Sequence, residues 1–161
     1  MDRPPPFANR PRRKGARGEG LRYEEQVLTD YLPRLLGEEL IPGPWILFAN
    51  RKQGSRWCQP DALWIDALKG RITIVEIKAS HCPAAWWQLK QLYLPVVKKL
   101  FGAQYWDYRL VELVKWYDPS TQFPEKHKLR PKLDQAAHDE IAVHIWSPKR
   151  EKYRKKGRKN A

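Results

Sequence analysis

Cysteine is nearly missing: Cys58 and Cys82 are the only two in 161 residues, too few for a disulfide-stapled secreted scaffold. No apolar run approaches the roughly 20 residues of a membrane-spanning helix. The N-terminus, Met1-Asp2-Arg3 followed by three prolines, lacks the apolar stretch of a secretory signal. An intracellular protein without a membrane partner is therefore expected. Also missing are a phosphate-binding glycine loop, an HExxH zinc motif, any internal repeat and a defensible Ser/His/Asp order. None of these gaps leaves room for a small-molecule cofactor. Acids are scarce too, 18 against 31 Lys plus Arg, for a net charge of +13.

That excess lies at the two ends. Residues 1–18 carry six basic side chains against Asp2 alone, and 148–161 carry eight against Glu151. Between them, 17 basic and 16 acidic residues leave 19–147 almost neutral. With 42% hydrophobic and 12% aromatic residues overall, this middle can bury the core of one domain. The ends have too little apolar surface to fold and read as flexible basic arms. Such arms suit a polyanion, usually nucleic acid. The candidate phosphate contacts are Arg10, Arg12, Arg13, Lys14 and Arg17 at one end. At the other they are Lys149, Arg150, Lys152, Arg154, Lys155, Lys156, Arg158 and Lys159. Solubility or a localisation address is the plainer role for the same residues.

Periodicity predicts a helix over 19–36, with Pro33 kinking it or ending it early and Gly37 closing it. A strand over 45–49 follows. Residues 61–66 and 71–78 read as an antiparallel hairpin around a turn at 67–70. A helix over 83–101 comes next, with Pro95 able to bend it, then a strand over 106–117, a polar loop over 118–138 and a last strand over 140–146. The order makes an α/β domain around a mixed sheet.

The hairpin carries charges where apolar residues belong, and buried charges are costly unless paired or bound to a metal. Ile72, Ile74, Glu76 and Lys78 share a face by strand alternation. With an even number of residues in the turn, Asp61 falls opposite Glu76 or Lys78 on that face. One bulged residue would turn it away. In the first helix the apolar side chains centre close to Glu24, so Glu24 is expected to face the sheet, with Glu25 further round. Carboxylates gathered at one spot repel unless a cation sits among them, and oxygen ligands favour Mg²⁺ or Mn²⁺. Such an ion polarises a phosphate oxygen and acidifies a bound water, while a neighbouring lysine can orient that water or stabilise developing negative charge. This chemistry fits phosphodiester hydrolysis.

Pro60-Asp61, fourteen intervening residues, then Glu76-Ile77-Lys78 resembles the signature of the PD-(D/E)XK nucleases, the restriction-endonuclease-like superfamily. Glu24 on the preceding helix is similar to a glutamate that many members carry. Gln88 on the following helix is similar to a glutamine that some subfamilies place beside the active site. In those subfamilies a tyrosine follows four residues later. Here Leu92 holds that place and Tyr93 comes next, so Gln88 and Gln91 both stay open. The likeness covers roughly 19–117, in the order αβββαβ.

The resemblance implies a restriction-endonuclease-like core and a Mg²⁺- or Mn²⁺-dependent DNA endonuclease. Asp61, Glu76 and the Ile77 carbonyl would hold the metal, Glu24 would bind it directly or through water, and Lys78 would position or activate the attacking water. Holliday-junction-resolving members are similarly small and act as homodimers, so branched or end-containing DNA is the favoured substrate. The alternative is a nucleic-acid-binding or assembly protein that keeps the fold without catalysis.

Other candidates have plainer readings. Cys58, His81 and Cys82 lack metal-ligand spacing and read as core or incidental residues. Trp86 fits the apolar stripe of its helix, whereas Trp87 is open between packing and base stacking. His127, His138 and His144 have no nucleophile to serve, and Asp66 is expected to be solvated at its turn.

Overall fold

A computed structural model of the chain describes residues 16–125 and 127–148. The first helix, α1 (Ala16–Gln26), passes through a π-helical turn (Val27–Tyr31) into α2 (Leu32–Leu36). Strands β1 (Leu40–Pro42), β2 (Ile46–Asn50), β3 (Gly54–Cys58), β4 (Ala62–Asp66) and β5 (Arg71–Ser80) follow. A second interrupted helix runs from α3 (Pro83–Trp86) through a π-helical stretch (Trp87–Tyr93) to α4 (Leu94–Phe101). Strands β6 (Asp107–Trp116), β7 (His127–Leu129) and β8 (Ile141–Ile145) complete the fold.

The six-stranded sheet has the order β1-β4-β5-β6-β8-β7. The β1–β4 and β4–β5 pairs are antiparallel, whereas β5–β6, β6–β8 and β7–β8 are parallel. This is a mixed α/β fold around a mixed central sheet. No helix among the described residues is long and apolar enough to cross a membrane.

Alternation sends the two sets of strand residues into two cores. Ala62, Trp64, Val75, Ile77, Val111 and Leu113 pack with Tyr23, Val27 and Leu32 of the first helix. On the opposite face Leu63, Ile72, Ile74 and Leu110 pack with Leu89, Tyr93 and Val97 of the second. The helices thus cover opposite faces of the sheet, as parallel strand pairs require.

Both helices contain a π-helical stretch just before a proline. Proline has no N–H to give to the carbonyl four residues back. At Pro33 and Pro95 the regular ladder has already widened on the N-terminal side, and a new α-helical segment begins around the proline. The expected kinks are thus realised as π-helical turns. Gly37, at φ 57°, ends the first helix as anticipated.

Several expectations need correction. The helix starts at Ala16, so the arm assigned to 1–18 gives up its last residues to α1. The strand foreseen at 45–49 exists as β2, but it pairs with β3 in a separate hairpin outside the main sheet. The edge position next to β4 belongs to β1, a three-residue strand whose backbone pairing is invisible in a side-chain pattern. The presumed loop at 118–138 contains β7 and a short 3-10 turn, Leu133–Gln135. Asp66 is not solvated but only 7% exposed, because its carboxylate accepts the Lys69 N–H at 3.1 Å and pins the hairpin turn.

That turn ends in Gly70, at φ 61°, where a side chain would meet no neighbour within 4 Å. A substitution there therefore tests backbone conformation alone. Gly70→Ala is expected to cost about 1 kcal/mol, since the left-handed region disfavours any Cβ. Chemical denaturation should show a lower midpoint with an unchanged slope.

Candidate active site

The strand register brings the site together. Ala62 pairs with Val75, so position 61, one residue before β4, lies across from Glu76. Asp61 thus precedes the strand rather than starting it, and the four-residue turn keeps it on the face expected. Its Oδ2 accepts the Ile77 backbone N–H at 2.6 Å, fixing the carboxylate over the middle of β5.

Glu76 is 1% exposed. Lys78, two residues along the same face, donates from Nζ to Glu76 Oε1. Glu76 Oε2 is buried and meets no N–H or hydroxyl donor among the described residues, so the hydrogen bond between the Glu76 and Asp61 carboxyl groups needs a proton on one of them. A buried carboxylate oxygen without a donor is costly unless a proton or a cation meets it.

Charge and burial tune the three groups differently. Asp61 is pushed from 3.8 up to about 7, first by burial and then by the charge of Glu76, against the Ile77 N–H and the Lys78 ammonium. Burial also raises Glu76, which Lys78 opposes. For Lys78 burial works downward, but the Glu76 carboxylate outweighs it and the ammonium is held above its usual range. Lys78 is therefore a cation at neutral pH, suited to orienting water and stabilising negative charge.

Of the two adjacent glutamates considered on the first helix, Glu24 is half-buried and Glu25 exposed. Glu24 belongs to the helix that packs on the other face of the sheet. It is near enough for its charge to disfavour ionisation of Glu76.

On the second helix Gln88 is half-buried, whereas Gln91 is exposed. Gln88 Nε2 donates to the Tyr93 hydroxyl over a long 3.4 Å. In regular α-helix a partner five residues on would lie off the line of Gln88. The π-helical stretch Trp87–Tyr93 aligns such pairs. Tyr93 is 4% exposed, and burial followed by the charges of Glu76 and Asp61 raises its hydroxyl strongly, so it keeps its proton.

One carboxylate was missed. Glu112 pairs with Glu76 in the parallel register and is fully buried. It accepts the Cys82 N–H at 3.1 Å and shares a 2.5 Å hydrogen bond with His81 Nδ1. Burial raises Glu112 to about 8 and lowers His81 to about 4, favouring neutral forms of both. The His81 ring stacks on Phe123 at 4.2 Å between centroids. The signal was local: Tyr108, Leu110, Glu112 and Val114 alternate along β6 as an inward face with one charge in it.

The remaining candidates lie elsewhere. Cys58 is buried in the core beside Tyr93, and Cys82 is a free, half-buried thiol. His144 hydrogen-bonds Tyr31 at 2.6 Å on the opposite face. Of the arm residues, only the backbone of Arg17 is described, within α1. Arg10, Arg12, Arg13 and Lys14, and the cations from Lys149 to Lys159, lie outside the described residues.

Among the described residues no three His, Cys, Asp or Glu side chains are grouped to hold a metal ion. The available donors are Asp61, Glu76 and the Ile77 carbonyl. Two carboxylates completed by water and substrate oxygens suit Mg²⁺, which keeps much of its hydration.

Asp61 holds its proton more tightly folded than unfolded, so without divalent cation it weakens the native state as pH rises from about 4 to about 7, fully above that. Asp61→Asn removes this penalty. In EDTA the variant is expected to melt above wild type at pH 8, by about 2–4 °C per kcal/mol relieved, and to lose that advantage at pH 4. An equal offset at both pH values would contradict the assignment. Compared with family models, curated proteins and solved structures, the chain matches none, so a functional reading rests on the side chains described above.

Proposed function

We propose that this chain is a metal-dependent DNA endonuclease of the PD-(D/E)XK type, with a restriction-endonuclease-like core. The observation that carries the reading is the convergence of Asp61, Glu76 and Lys78 on one stretch of sheet face, two carboxyl groups close enough to share a hydrogen bond beside a lysine ammonium. The main-sheet order of helix, three strands, helix and strand agrees with it once the β2–β3 hairpin is set aside as an insertion.

Asp61, Glu76 and the Ile77 carbonyl would hold Mg²⁺ or Mn²⁺, which supplies an acidified water and a polarised phosphate oxygen. The protein's own groups prepare the rest. Ile77 N–H fixes the Asp61 carboxylate, and the Glu76–Lys78 pair holds a cation where negative charge develops on phosphorus oxygens. Glu24 would act through water, at a distance that adds negative potential without crowding the metal. Gln88 engages the Tyr93 hydroxyl oxygen and leaves its proton free to donate, which supports Gln88 over Gln91. The basic ends would grip phosphates and make binding steeply salt-dependent. Branched or end-containing DNA is the preferred substrate.

One observation favours the second reading, a DNA-binding or assembly protein without catalysis. Lys78 already balances the Glu76 charge within the chain, and the described residues hold no three-ligand cage. DNA binding indifferent to EDTA, with no cleavage of any substrate, would select it.

Incubation of branched and linear DNA with Mg²⁺ tests the leading reading. Asp61→Asn, Glu76→Gln and Lys78→Met are each expected to lower the cleavage rate by about 100-fold or more, with circular dichroism unchanged. If all three cut as wild type does, the active-site assignment is wrong.

A further inference from the structure

A groove of about 720 Å³ lies between the β2–β3 hairpin and the outer side of the second helix, within the size range of small-molecule sites. Its floor is apolar, with Phe48 and Val96, and its rim holds Trp87, Arg56 and Lys99. Trp87 is 55% exposed and Leu47, across from it, 54%. Neither is needed to fill a core, and Trp87 is the side chain that sequence reading left open.

The charge around the groove has one sign. Residues 40–60 include Arg51, Lys52 and Arg56 and no acid, and residues 82–106 include Lys90, Lys98 and Lys99 and no acid. Lys90 is paired with Glu125, whereas Lys99 and the hairpin cations from Arg51 to Arg56 are exposed. A second copy of this chain seated here would bring like charge against like charge, a cost of several kcal/mol at an interface. An apolar slot with an exposed indole and a cationic rim instead matches a nucleic-acid strand, whose bases stack and whose phosphates are anionic.

Position agrees with this. Ile46 and Cys58, at the root of the hairpin, share a core with Leu89 and Tyr93, and the chain runs from Cys58 directly to Asp61. Trp87 adjoins Gln88. Both walls of the groove are thus anchored in the core on the carboxylate-bearing face of the sheet.

We propose that this groove takes an unpaired stretch of the DNA strand, with a base stacked on Trp87 and phosphates on Arg56 and Lys99. The inference rests on the nuclease reading for its choice of polyanion, and it narrows the substrate to DNA with single-stranded character next to the cut. It also gives the β2–β3 hairpin, which adds nothing to the main sheet, a purpose.

Anisotropy of a labelled oligothymidylate tests it, with the full chain in EDTA and about 0.15 M salt, so that neither metal nor cleavage enters. The comparison is a strand of equal length built from abasic nucleotides, which any basic arm binds equally well. Wild type should prefer the strand with bases by about tenfold, the effect of a stacked base on an aromatic side chain. Trp87→Ala should abolish that preference, and Trp87→Phe should keep most of it. Arg56→Ala with Lys99→Ala should weaken both strands alike. No preference in wild type, or an undiminished one in Trp87→Ala, would overturn the proposal. So would a sedimenting dimer that Trp87→Ala dissociates, which would give the groove to a second copy. Loss of base preference leaves the Asp61, Glu76 and Lys78 cleavage result untouched, and intact cleavage in those variants leaves the binding result standing.

Discussion

Two carboxylates face each other across the β4–β5 hairpin because a four-residue turn holds an even register, and the surrounding core shields Glu76 from water. Everything at the candidate site answers that juxtaposition. Ile77 N–H and Lys78 Nζ each take one carboxylate oxygen, and Asp61 is driven toward its protonated form. Without a cation, a proton shared between Asp61 and Glu76 is what relieves their repulsion. A stable fold gains little from such an arrangement, since apolar residues there would cost nothing in desolvation. Stability given up at a fixed geometry is the usual mark of a functional site.

The two helices serve that geometry from opposite sides. The first buries Tyr23 and Val27 under the sheet and brings Glu24 within electrostatic reach of Glu76. The second lays Leu89, Tyr93 and Val97 over the same strands. In each, a proline forces a π-helical turn. In the second helix that turn sets Gln88 against Tyr93 at a spacing of five residues, where α-helical geometry favours three or four.

The hairpin was legible because its determinants are local. Alternation, turn length and the glycine at 70 all lie within residues 61–78, and together they were enough to bring Asp61 opposite Glu76. What could not be read depends on distant partners. The strand at 46–50 shows its conformation but not its neighbour, so its pairing with β3 away from the main sheet was hidden. β1 and β7 are three residues long, too short to display any period. Glu112 carried a readable signal within its strand, but its meaning comes from Glu76 in the adjacent strand and His81 beyond it. Tyr93 looked like core, which it is, while its hydroxyl also feels the charges of Glu76 and Asp61.

In the proposed reading the basic ends would supply attraction to a polyanion, and the nearly neutral domain the chemistry at the carboxylates. These are separable in solution. Calorimetric titration of Mn²⁺ into the full chain at pH 8, without DNA, addresses the carboxylate pair most directly. One ion per chain is expected to bind saturably to wild type, and binding should be lost in Asp61→Asn and in Glu76→Gln. No saturable binding to wild type, or equal binding in both variants, would contradict a metal site between Asp61 and Glu76.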